Sequence, residues 1–112
     1  MSSLRLASGE SVALDENGFL ANLDDWNEAV AQLLATEEGL ELTESHWEII
    51  WLLRDFYNTY TISPAMRVLV KQIKAQLGPE KASSIYLLKL FPESPAKIAS
   101  KIAGLPKPTN CL

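Results

Sequence analysis

Apolar and polar positions roughly alternate from Ser3 to Leu20, with Leu4, Leu6, Val12 and Leu14 forming one side and Gly9 and Asn17-Gly18 placed as turns. A period of two puts alternate side chains on one face, so this stretch predicts short antiparallel strands. Beyond it the period becomes helical. Asp25 followed by Glu28 has the spacing of a helix cap, and Trp26, Val30, Leu33 and Leu34 recur until Gly39. Leu42 and Trp47 flank Thr43 as a hydrophobic staple and open a second helix carrying Ile50, Trp51, Leu53, Phe56 and Tyr57, out toward Tyr60. With apolar residues on more than one face, it reads as the central helix. Ser63-Pro64 caps a third helix that runs to about Leu77, before Gly78-Pro79. Its apolar side is Met66, Leu69, Val70, Ile73 and Leu77; Arg67, Lys71 and Lys74 lie at i, i+4 and i+7 on another. Short helices follow from roughly Ser83 to Phe91 and from Ser94-Pro95 through Lys97 and Lys101 to Ala103. The prediction is an α+β chain of small strands followed by five helices.

The helical pattern stops at Gly104. Two prolines in Gly104-Leu105-Pro106-Lys107-Pro108-Thr109-Asn110-Cys111-Leu112 bias the preceding residues toward extended geometry, which predicts an arm over residues 104–112. From Gly104 to Cys111 it can reach roughly 20–25 Å at about 3.1–3.3 Å per residue. The thiol is either carried to a partner or tucked into a groove of its own domain.

At 112 residues and 47% hydrophobic, the sequence suits one domain over residues 1–112 with an ordinary core. The longest nearly apolar runs, such as Ile49 to Leu53, fall far short of the roughly 20 residues that span a bilayer. No basic stretch followed by an apolar segment opens the chain, so neither a signal peptide nor a membrane anchor is expected, and the expected location is cytoplasmic. The net charge of −4 hides a division: residues 1–66 hold 2 Lys/Arg against 12 Asp/Glu, and residues 67–112 hold 8 against 2. That asymmetry predicts a negative partner for the later half, against the plainer reading of a solvated surface.

Cys111 is the only cysteine, which rules out an intramolecular disulfide and argues against a metal cluster. It is also the one strong nucleophile by residue type, since thiolate sulfur attacks electrophilic sulfur. The adjacent terminal carboxylate disfavours the thiolate, whereas Lys107 or Lys101 favours it if the arm folds back. His46, the only histidine, stands at the third position of a capped helix, where a surface or capping role is favoured over catalysis. Glu37-Glu38 and Glu41 lack the spacing of a metal loop, and no glycine-rich phosphate loop occurs. Trp26, Trp47, Trp51, Phe56 and Tyr57 read as core. The turn at Thr59–Ser63 with Arg67, Lys71 and Lys74 beyond it admits a helix-turn-helix, but one basic stripe on an acidic chain argues against direct DNA binding.

His46-Trp47-Glu48, Arg54-Asp55-Phe56-Tyr57, Ser63-Pro64-Ala65-Met66-Arg67, Leu90-Phe91-Pro92 and Lys101-Ile102-Ala103-Gly104-Leu105-Pro106-Lys107-Pro108 leading to Cys111 resemble the DsrC/TusE family of small sulfur carriers. The likeness covers nearly the whole chain. It implies an amino-terminal antiparallel β-meander packed against an array of about five helices. Members acting with dissimilatory sulfite reductase typically carry a second cysteine on the last helix, where this chain has Ser100. The resemblance therefore implies the single-cysteine branch, in which Cys111 accepts sulfur as a persulfide from a TusBCD-like donor complex. Delivery is to a MnmA-like tRNA thiolase making wobble 2-thiouridine, with no cofactor, metal or membrane involved. Arg67, Lys71, Lys74, Lys101 and Lys107 are the charge-based candidates for docking or for stabilising the persulfide. Two other readings stay open: a DsrC-like partner of a sulfite reductase, and a helix-turn-helix DNA-binding regulator.

Overall fold

The computed structural model describes residues 2–109; Cys111 lies outside the described residues. Strands β1 (Ser2–Arg5) and β2 (Ser11–Leu14) pair antiparallel with Leu4 opposite Val12. Leu4, Val12 and Leu14 are buried, as the alternation requires. A bridge between Leu14 and Leu20 begins a third pass, giving a small meander. Asp15 shapes that turn: its carboxylate accepts from the backbone N–H groups of Asn17 and Phe19 at 2.8 and 3.0 Å.

Five helices follow: α1 (Glu28–Glu37), α2 (Glu44–Tyr60), α3 (Met66–Leu77), α4 (Ser84–Leu90) and α5 (Pro95–Ile102). The architecture is the expected α+β arrangement of meander and helix array. Two caps differ from the sequence reading. Asn27, not Asp25, caps α1, its side chain accepting from Val30 N–H at 2.9 Å. Asn22 instead caps a separate 3-10 turn at Leu23–Asp25. The two caps leave Trp26 between helices with extended backbone, free to reach across to α5. Ser63 does not cap α3, whose first turn is preceded by Ala65 with no side-chain cap. Its hydroxyl is used elsewhere.

The helix at the centre is α5 rather than α2, for it packs against α1, α2, α3 and α4 alike. Its small residues Ala96, Ala99 and Ser100 are buried, which lets four neighbours approach one short helix. Val30, Leu34, Ile49, Ile50, Leu53, Leu69, Ile73, Leu87, Phe91 and Ile102 complete the core. His46 takes the expected capping role at the start of α2 but is buried rather than at the surface, and it ties α2 to α4. Its Nδ1 lies 3.0 Å from the Thr43 backbone N–H and so accepts; Nε2 then carries the proton and donates to the Leu90 carbonyl at 2.8 Å. The ring edge also meets Phe91 at 5.1 Å. Of the aromatic residues expected in the core only Phe56 is buried. Trp51 is 43% exposed, and Trp26, Trp47 and Tyr57 are half-buried.

Candidate functional site

The end of α5 is where the chain turns toward Cys111, and it is held from both sides. Gly104 at φ +74° donates to the Lys101 carbonyl and Leu105 donates to the Ser100 carbonyl, both at 3.0 Å. This pair of bonds satisfies two carbonyls the helix would leave open, and it needs a left-handed residue at Gly104. Three side chains from other elements then take three carbonyls of the emerging chain. Trp26 Nε1–H donates to Ile102 at 2.8 Å, Arg54 Nη1–H donates to Ala103 at 2.6 Å, and Ser63 Oγ–H donates to Pro106 at 2.6 Å.

These donors support one another. The Arg54 guanidinium carbon lies 3.9 Å from the Trp26 ring centroid, and the indole lies flat enough on Gly104 to forbid a side chain there. An added β-carbon would come within 2.6 and 2.8 Å of Trp26 Cγ and Cβ. Trp51 meets Trp26 edge-on at 5.5 Å, and Trp47 stacks on Trp51 at 5.8 Å. Partial burial lowers the Arg54 pKa from its ordinary value, yet a guanidinium remains cationic at neutral pH. Its bond to Ala103 is therefore charge-assisted and of order 1.5–3 kcal/mol. Beyond the turn, Leu105 and Pro108 are buried, whereas Pro106, Lys107 and Thr109 are exposed. Through Pro108 the arm lies against its own domain.

The basic residues expected to dock or to stabilise sulfur divide. Arg67, Lys71 and Lys74 share the exposed side of α3, and Lys107 is exposed on the arm. Lys101 faces the other way. Its ammonium pairs with Glu38 at 3.0 Å, only 12% of its side chain is exposed, and Phe19 lies beneath it at 5.4 Å. From sequence Trp26 read as core, Arg54 entered only within a family motif and Ser63 read as a cap; none of the three was expected to hold the arm. One signal was available: Arg54 is one of two Lys/Arg residues in the first 66 and the only one in α2. Among the described residues no group of His, Cys, Asp and Glu is placed to hold a metal ion, and no helix is long and apolar enough to cross a membrane.

Residues 6–112 match the family model described as DsrC like protein. The chain belongs to the DsrC-like family. It is 52% identical over 104 residues to the Photorhabdus laumondii protein named Sulfurtransferase TusE, a match covering 93% of this chain and 94% of that one. A Haemophilus influenzae protein named Sulfurtransferase TusE homolog is 50% identical over 105 residues, covering 94% and 96%. Among solved structures, the NMR structure of Allochromatium vinosum DsrC has a TM-score of 0.89 at 50% identity, covering all of both chains. The oxidized gamma-subunit of dissimilatory sulfite reductase (DsrC) from Archaeoglobus fulgidus has a TM-score of 0.85 at 44% identity, covering 99% and 100%. The fold of this DsrC-like chain is thus shared with solved DsrC structures, and its sequence with proteins named Sulfurtransferase TusE.

Proposed function

We propose that this protein is a sulfur carrier in which Cys111 holds sulfur as a persulfide between a TusBCD-like donor complex and a MnmA-like tRNA thiolase that makes wobble 2-thiouridine. The observation that supports it most is the pairing of a sole cysteine with about half-identity to proteins named sulfurtransferases across nearly the full length. In the loading step the Cys111 thiolate attacks the outer sulfur of a donor persulfide. The new bond gives Cys111-S-SH, the donor's S–S bond breaks, and the donor leaves as a thiolate. An acceptor thiolate then takes the same outer sulfur and Cys111 is released as thiolate. Neither step needs a metal or a redox cofactor, because sulfur oxidation level is conserved between donor and acceptor.

The arm root supports this reading mechanically. Trp26, Arg54 and Ser63 hold Ile102, Ala103 and Pro106, so the arm is fixed to the domain a few residues before the thiol. A carrier benefits from that arrangement because orientation at the point of departure limits how many docked poses present sulfur to the partner. The sulfite-reductase partner reading draws on the DsrC neighbours, but Ser100 sits in α5 where a second thiol would be needed for chemistry within one chain.

The test is intact-mass analysis of the purified protein after incubation with a persulfidated donor. A gain of one sulfur atom, absent in Cys111→Ser, is expected. No gain in the wild type, or an equal gain in the variant, would overturn the proposal.

A further inference from the structure

The corner between α2 and α3 combines features the internal packing does not explain. Thr61 closes α2 in a left-handed conformation at φ +61°, and the turn leaves Tyr60 58% and Ile62 61% exposed. Val68, in the first turn of α3, is 40% exposed. On the same helix as Val68, Arg67, Lys71 and Lys74 are all exposed, and that helix carries no carboxylate. Among the described residues no ion pair engages any of the three.

Ser63, at the same corner, holds the Pro106 carbonyl. From Pro106 to Cys111 the chain has five residues, and they cannot carry the thiol more than about 16–18 Å at 3.3–3.6 Å per residue. A protein that exchanges sulfur with Cys111 must therefore come close to this corner. Along α3, Arg67 to Lys74 spans about 10 Å at 1.5 Å per residue, so the basic edge lies within the same reach.

We propose that Tyr60, Ile62 and Val68, with Arg67, Lys71 and Lys74 beside them, form the docking surface for the sulfur donor, a protein whose contacting face sets carboxylates around an apolar patch. This rests on the carrier reading above and names where the donor sits. Aliphatic Ile62 and Val68 gain from apolar surface and not from phosphates, and the acidic amino-terminal half repels a polyanion, so a protein fits the corner better than tRNA. The acceptor itself must bind tRNA and needs a positive face for it. The donor is the partner free to be acidic.

The experiment compares two rates of Cys111 loading measured by intact mass: from a persulfidated TusBCD-like complex, and from inorganic polysulfide. Their ratio reports docking, because polysulfide needs no protein surface. The double reversal Arg67→Glu with Lys71→Glu is expected to lower the ratio about tenfold and to flatten its dependence on NaCl, since charge steering falls with ionic strength. Ile62→Ser is expected to lower it with the salt dependence retained, and Lys89→Glu, a reversal elsewhere on the surface, to change it less than about twofold. Circular dichroism melts confirm that each variant is folded. An unchanged ratio in the folded double reversal overturns the docking surface. So does a variant that loses tRNA in gel-shift titration yet keeps the ratio. If wild-type protein takes sulfur from neither source, the carrier reading fails and the docking proposal with it.

Discussion

Replacing Gly104 with alanine separates two physical costs, provided it is compared with Gly39→Ala. Both glycines have φ +74°, so both variants place a β-carbon in the left-handed region, at about 1–2 kcal/mol. They differ in surroundings. Nothing lies within 4 Å of the β-carbon at Gly39, whereas at Gly104 it runs into the Trp26 indole. Relieving that clash means moving Trp26 or the backbone. Either shift loses the bond from Trp26 to Ile102, at about 1 kcal/mol, and disturbs the contacts with Arg54 and Trp51, at about 0.5–1.5 kcal/mol each. Gly104→Ala is therefore expected to destabilise by about 3–6 kcal/mol and Gly39→Ala by only about 1–2. Urea unfolding followed by circular dichroism reads the difference directly, and in thermal melts it is about 8–16 °C. Equal destabilisation by the two variants would refute the tight seat of Trp26 on Gly104, and with it the rigid departure of the arm.

Other outcomes follow from the same geometry. Ser100 is wholly buried and its hydroxyl has no hydrogen-bond partner among the described residues, so Ser100→Ala is expected to be neutral or to stabilise by up to about 1 kcal/mol in urea unfolding. His46→Ala removes the ring that joins Thr43 to Leu90 and is expected to cost about 2–4 kcal/mol; polysulfide loading of Cys111, corrected for folded fraction, separates that structural role from a catalytic one. Arg54→Met keeps much of the side-chain volume but leaves the Ala103 carbonyl without its charged donor, for an expected loss of about 1–3 kcal/mol by the same measurement. The hydrogen bond from Lys81 to Glu48 raises the lysine pKa above 10.5. Its contribution is therefore complete below that pH and lost as pH climbs through the raised value, so urea midpoints of wild type and Lys81→Met should converge in strong alkali and differ near neutrality.

The helices were legible because their apolar spacing and caps are local. Thr43, Ser83 and the glycine stops fall where the pattern puts them. Asp25 and Ser63 misled for a shared reason: a polar residue beside a helix start can serve any nearby backbone group, and tertiary structure decides which. Ser63 serves Pro106, 43 residues away. The same limit hid the clamp, since Trp26 and Arg54 bond carbonyls 76 and 49 residues distant and nothing local marks the pairing. The central place of α5 was hidden because its buried face is small, and hydrophobic pattern weighs bulk more than closeness of approach. Cys111 was conspicuous only because it has no rival.

The indole chain of Trp47, Trp51 and Trp26 has an optical consequence. These are all the tryptophans of the protein, coupled at 5.8 and 5.5 Å, with the last one under a guanidinium and bonded to the carbonyl at the arm root. Intrinsic emission is thus concentrated at one place. Any displacement of the arm root alters the charge and hydrogen bonding around Trp26, so docking and release can be followed as a change in native fluorescence, with no dye attached and the thiol left free.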